Sequence, residues 1–498
     1  MVISTAVDLS AVARVTGIKT TYRDMRGGNI LFLPQRLAVV GQGNTNAVYD
    51  TAKRQVTSAQ EAATLYGHGS PIHLAVRQLL PTNGDGVGSI PVTVYPLVDD
   101  ESGVASTGSV LVTGTPTQAA AYRVRVNGDQ TQAFVIDTDD TPTTAAAKMA
   151  AAINATLGLP VTATAETGTV TVTSNWAGES ANDINLDIIG STSSGVTFAI
   201  TQPSGGLVNP DVSPALAQVG DVWETMVLNT LNIADETALD AYQTFGEGRW
   251  GALTKKPLVV FTGNTATTVT AATAISDTRR DDKVNAQLVA PSSPNLPLEV
   301  AARQLARIAK VANNNPARDY GSQDATGLTP GADGVQWTYL DRDAAVKKGS
   351  STVEVKDGVV NVSDTVTFYH PTGDALPAYR YVCDIVKLQN IIFNINLIFA
   401  TKEWDGAPLI PDDQPTANRD AKKPKMAVAA VGSLSDSLGL NAIISDPETA
   451  KKNTRAEISP QNPKRLDLYV PYQLSGNTNI ISIDLDFGFY FGTQAAIN

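Results

Sequence analysis

Residues 255–291 read KKPLVVFTGNTATTVTAATAISDTRRDDKVNAQLVAP. An apolar run around Val259 and a second around Leu288 flank a Thr- and Ala-rich stretch, 264–282, that is predicted as a helix. Short apolar runs bounded by Gly and Pro are the pattern of strands buried on both faces. Strand, helix and strand in that order make a βα unit, and the pattern recurs on both sides. Upstream, ETMVLNTL (224–231) is a predicted strand, followed by a helix in DETALDAYQTFGEGRWG (235–251) that glycine ends. Downstream, 296–315 is an amphipathic helix with Leu298, Val300, Ala301, Leu305 and Ile308 on one side. An earlier segment repeats the theme. A strand at Leu37–Val40 stops at Gly41 and Gly43. A short helix follows, with Ser58 and Glu61 spaced as a capping box. Ser70 as N-cap and Pro71 as N1 start another helix, and SIPVTVYPLV (89–98) is again a strand. These repeats predict an α/β core: a mainly parallel sheet covered by helices.

The core is interrupted. From 101 to 205 the composition turns to Thr, Ala, Gly and Val with little charge. Two alternating runs meet at Asn127-Gly128, a strong hairpin signal. An Ala-rich helix starts near Pro142, and two more strands meet about Gly168. This reads as a β-rich insertion between core pieces 29–100 and 206–330. Residues 331–478 read as an α+β C-terminal domain: a hairpin and strand in 350–371, a long helix in 374–400, a shorter one in 423–440, and two long strands turning at Ser475-Gly476-Asn477. Residues 1–28 lack a core pattern and read as an extended arm. The chain ends in NIISIDLDFGFYFGTQAAIN, 479–498. There Ile481, Ile483, Leu485, Phe487, Phe489 and Phe491 share one side of a two-residue period, the mark of a half-buried strand.

The totals narrow the function. The 498 residues suggest about three domains. Hydrophobic residues at 42% provide for real cores, and charged residues at 17% leave weakly charged surfaces. A net charge of −12 without a basic stripe argues against nucleic acid. The start has no signal-peptide pattern, and the most apolar run, 391–400, is broken by Asn394 and Asn396. A bilayer needs about 20 apolar residues, so no membrane insertion is expected. The single cysteine, Cys383, excludes an internal disulfide and reads as a buried thiol. Together these features point to synthesis in a reducing cytosol.

Candidate chemistry is sparse. His68, His73 and His370 are the three histidines, and none has zinc-site spacing with another ligand. His68 beside Ser70 is the basis of an alternative reading, an α/β hydrolase-like enzyme, although no nucleophile-elbow sequence is present. Gly41-x-Gly43 lacks the rest of a phosphate loop. Asp137, Asp139 and Asp140 read as a polar turn before a helix, and Asp412 with Asp413 lacks the pattern of a calcium loop. The Thr-rich insertion raises a third reading, a secreted adhesin, which the missing leader pattern opposes. No catalytic residue, metal site or cofactor is expected, and a structural protein is favoured.

Taken in order, LPQRLAVVGQG (33–43), 57–97, AYRVRVNGDQTQAFVIDTDDTPTTAAAKMAAAINATLGLPVTAT (121–164), 227–251, DDKVNAQLVAP (281–291) and DGVVNVSDTVTFYHP (357–371) resemble the Mu-like family of contractile phage tail sheath proteins. The resemblance implies a helical homo-oligomer around an inner tail tube protein, with baseplate and tail terminator proteins as further partners. It implies assembly in the host bacterial cytoplasm, a place in the virion tail, and contraction that drives the tube through the host envelope. It implies an outward insertion and terminal arms that add strands to neighbouring subunits: Ile481 to Phe491 at one end, with Val7, Val12, Val15 and Ile18 at the other. Alternation alone instead favours closure of the chain's own C-terminal sheet, because consecutive strands usually neighbour each other.

Overall fold

The computed structural model describes residues 30–373, 378–485 and 487. The fold is mixed α/β with several sheets. The strands that build the core begin with β1 (Leu37–Gln42), β2 (Arg54–Val56) and β3 (Val92–Leu97). Eight strands follow between the core pieces: β4 (Ala105–Gly114), β5 (Ala120–Val126), β6 (Asp129–Gln130), β7 (Phe134–Ile136), β8 (Val161–Glu166), β9 (Thr169–Ala177), β10 (Leu186–Gly190) and β11 (Val196–Ser204). The core resumes with β12 (Met226–Asn229), β13 (Val259–Asn264) and β14 (Asn285–Val289).

One six-stranded sheet runs β14-β13-β12-β1-β3-β2. Every pair is parallel except β2 with β3 at the edge. Alternate residues of each central strand enter different cores. Leu37, Val39, Met226, Leu228, Val259 and Phe261 join the face covered by helices Pro71–Leu79 and Pro297–Asn314. Ala38, Val40, Val227 and Val260 join the other face, under helix Glu236–Trp250. Helices on both faces leave no polar side to the sheet, hence the unbroken apolar runs in the sequence.

The capping signals act as local chemistry requires. Ser58 accepts from Glu61 N, and the Glu61 carboxylate returns to Thr57 N. Ser70 accepts from His73 N at the start of its helix. Between β13 and β14 the structure differs from the expected helix over 264–282: it holds only Val269–Ala272 and a 3₁₀ turn, Ser276–Thr278. Thr and Val there are β-branched and stiff at χ1, and Asn264 and Gln287 side chains bind Ala272 O instead.

The intervening strands form two antiparallel sheets, β11-β4-β9-β8 and a second around β5, with helix Pro142–Ala155 packed on them. Asn127 takes a φ of 54° in the tight turn between β5 and β6. This segment is fixed to the core. Arg77 of the core reaches Asp129 of the insertion at 2.7 Å and buried Glu299 at 2.5 Å. A Cβ on Gly69 would lie 1.9 Å from Leu159 O, so only glycine allows that approach. On the helix Pro297–Asn314, Arg307 and Arg303 hydrogen-bond Asp85 and hold its carboxyl down at about 2.

The C-terminal part carries the hairpin β15 (Val353–Lys356) and β16 (Val359–Val362), and helices Val382–Phe399 and Pro424–Leu440. Then come β17 (Ile444–Ser445), β18 (Arg455–Ile458), β19 (Leu466–Tyr469) and β20 (Gln473–Leu474). β17 pairs β20 and β18 pairs β19, both antiparallel. Among the described residues the two long strands expected to turn at Ser475-Gly476-Asn477 do not form. The first is split into β19 and β20, and the described residues after 474 are in no strand.

Candidate functional site

Doubly wound sheets usually bind ligands beyond the carboxyl ends of the strands, where the strand order reverses. Here that point lies between β1 and β12, and protein fills it. Gln42 Nε2 donates to Asp99 Oδ1 and to Ala177 O of the insertion, both at 2.6 Å. A Cβ on Gly43 would meet the Tyr49 ring at 2.2 Å, and one on Gly41 would meet Thr230 Oγ1 at 2.4 Å. The Gly-x-Gly pattern therefore serves close packing, and Tyr49 OH donates to Leu97 O across the same corner.

The remaining chemical candidates resolve into structural contacts. Ser70 Oγ donates to Gly67 O, and His73 Nδ1 accepts from Gly69 N at 3.0 Å. Burial, with the Arg77 charge next, lowers the His73 imidazole to about 4. His68 stacks edge-on against His73. His370 is buried, its Nε2 3.5 Å from Asp277 Oδ1. Asp137 and Asp140 hold Lys148, and Thr141 caps the helix that follows. Asp412 Oδ1 accepts from Lys425 N at the start of helix Pro424–Leu440. Cys383 is buried, and that burial pushes its thiol up. Among the described residues no group of His, Cys, Asp or Glu could hold a metal ion. Helix Val382–Phe399 is long and apolar enough to cross a membrane by composition, yet half of it is buried in the protein.

What stands out among the described residues is exposed β-forming surface. Ile481, Ile483, Leu485 and Phe487 are 74–88% exposed. They are apolar at every second position. Phe489 and Phe491, and Val7, Val12, Val15 and Ile18 at the other end, lie outside the described residues. Among the described residues the hairpin β18–β19 is a sheet of two strands. Its residues are half-buried or exposed, with Tyr469 at 63%. The hairpin packs on helix Pro424–Leu440, and the outer N–H and C=O rows of such a hairpin invite further strands. Sequence reading missed this hairpin because it left Arg455–Ile458 unassigned and began its long strand at Lys464; Ser459 to Lys464, with Pro460 and Pro463, was the available turn signal.

The chain ends are rooted in the body through one helix. Asn390 Oδ1 accepts from Leu33 N at 2.8 Å, and Asn394 bonds both N and O of Leu31. On the same helix, fully buried Lys387 donates to Ser475 O and Asn477 Oδ1, both at 2.6 Å. Asn394, which breaks the apolar run in the sequence, is thus a hydrogen-bonding partner for incoming backbone.

No family model matches the chain. The Mu-like prophage FluMu tail sheath protein of Haemophilus influenzae is 28% identical over 350 residues, covering 68% of this chain and 69% of that protein. Among solved structures, the sheath tail protein of Desulfitobacterium hafniense aligns over 92% of this chain and all of its own, at 12% identity and a TM-score of 0.45. That of Listeria innocua covers 90% of this chain and 96% of its own, at 12% identity and a TM-score of 0.45. The sheath complex of an extracellular contractile injection system in the contracted state covers 95% of this chain and 98% of its own, at 9% identity and a TM-score of 0.48. These three scores are low, and the relationship rests on the sequence match. Over the matched residues the chain is similar to this Mu-like contractile tail sheath protein.

Proposed function

We propose that copies of this chain polymerise into a helical sheath around an inner tail tube protein, and that the sheath contracts to drive the tube through a host envelope. Subunits are linked by strand exchange: the C-terminal segment 479–498 adds to a sheet of a neighbour, and residues 1–28 serve as the second arm. The baseplate and tail terminator proteins are the further partners, and the virion tail, assembled in the host cytoplasm, is the location. The core comprises 29–100 and 206–330, with 101–205 as the outward insertion and 331–478 as the C-terminal sheath domain.

The observation that carries this reading is the row Ile481, Ile483, Leu485 and Phe487, exposed and alternating, on a chain that also presents the open hairpin β18–β19. Strand addition supplies backbone hydrogen bonds, and alternate side chains fix the register. Six apolar side chains buried in a neighbour would contribute roughly 9–18 kcal/mol as an upper figure. Ordering about 12 residues costs roughly 12–24 kcal/mol of backbone entropy. One arm is therefore marginal alone, and two arms repeated along a lattice gain effective concentration. Deleting 479–498 tests the reading. The expected result is a folded, dispersed subunit where the full chain gives tubes in electron micrographs; tubes of unchanged length from the truncated chain would refute it.

A further inference from the structure

The helix Val382–Phe399 joins the roots of both arms. Lys387, Asn390 and Asn394 are three and four residues apart, so they share one face. Their contacts go to opposite ends of the chain. Asn390 and Asn394 hold the backbone at Leu33 and Leu31, next to the N-terminal arm. Asn394 Nδ2 also donates to Asn390 O, which ties the two together at 2.8 Å. Gln35 N, two residues further on, donates to Asn313 Oδ1 of the core at 3.1 Å, so the entering segment is held along its length.

Lys387 is completely buried and uses its three donors on Asp384 Oδ1 at 2.8 Å, Ser475 O and Asn477 Oδ1. Asn477 Nδ2 donates in turn to Ala317 O at 2.9 Å. Asn479 and Tyr381 line one cleft. From Ile480 on, the described apolar side chains are exposed. The tail leaves along this cleft of about 600 Å³, walled by Tyr339, Arg342, Ser363 and Tyr381. A buried ammonium is retained only where its acceptors are fixed, so the chain cannot slide at 475–477 without leaving the charge unpaired.

We propose that this helix is a yoke: Lys387 anchors the C-terminal arm, Asn390 and Asn394 anchor the N-terminal arm, and tension on one arm passes through the helix to the other. The lattice then has a continuous load path through this helix, which is itself seated on the core by Gln389 Nε2 donating to Pro257 O at 3.0 Å. The three side chains are positioning residues. The yoke rests on the strand-exchange reading, whereas the anchoring does not.

The test uses the full chain with Lys387→Met, Asn477→Ala or Asn394→Leu, and Ile308→Val as a core control. In the dispersed subunit, amide exchange at 473–477 is expected to speed up about 10- to 100-fold in the first two, the equivalent of losing a hydrogen bond to a charged group. Asn394→Leu should do the same at 31–33 by a smaller factor. Unchanged exchange in both Asn477→Ala and Asn394→Leu, the milder variants, would overturn the anchoring. In polymers, the anchor variants should shear to shorter tubes than wild type, while Ile308→Val leaves length unchanged. Equal shortening in the control, or none in the variants, would overturn the yoke. Failure of the wild type itself to polymerise would sink strand exchange and the yoke together, and leave the exchange result at the two roots standing.

Discussion

The core sheet and the C-terminal tail are written in the same β-forming residues but are completed differently. In β1, β12 and β13 every side chain is buried, and each strand has a neighbour on both sides. In 481–487 the apolar side chains fall at every second position, and they face solvent. Burial of apolar area, not strand propensity, decides where a β-segment settles. The sheet finds its burial within one chain. The described apolar side chains of the tail are exposed in the single chain, and the proposal of strand exchange starts from this difference.

Charges in the tail would sharpen that contrast most. Ile483→Asp with Leu485→Asp should abolish tubes while shifting the subunit's melting temperature by no more than about 2 °C, because these side chains bury little in the dispersed chain. Electron micrographs and a thermal melt on the same sample check both halves. The opposite pattern is expected in the sheet. Leu228, completely buried, should cost about 2–5 kcal/mol when replaced by Ala, read from denaturant unfolding. Removing the ion pairs between core and insertion should follow in size. Arg77→Met leaves Glu299, 3% exposed, without its guanidinium and is expected to cost about 3 kcal/mol.

A pH-dependent effect is expected at the same junction. Asp183 of the insertion accepts from Asn232 Nδ2 of the core, and loss of water raises its carboxyl to about 7. Its folded form therefore keeps a proton that the unfolded chain releases near pH 4, so this group's contribution to stability falls as pH rises from about 4 to about 7. Asp183→Asn should raise the melting temperature at pH 8 and leave it unchanged near pH 4; no difference between the two pH values would contradict the assignment.

The sequence discloses elements whose signal is local. The strands at Leu37 and Val259, the N-cap at Ser70 and the turn at Asn127-Gly128 are all decided by neighbours within a few residues. It conceals those decided at a distance. The Ala-rich stretch after Asn264 reads as a helix, but Asn264 and Gln287 take Ala272 O as their acceptor and the helix stops there. Asn394 reads as an interruption of an apolar run; its partner, Leu31, lies more than 350 residues away. The same limit applies to the candidate site. The alternation of Ile481 to Phe491 is plain in the sequence, but alternation carries no information on which copy supplies the opposite strand.

A density map of the assembled polymer, resolved well enough to trace side chains, tests the central claim most directly. The account predicts that Ile481 to Phe491 form a strand hydrogen-bonded to a sheet of a different copy. A map in which every such segment folds back onto its own body, with no strand passing between copies, would contradict it.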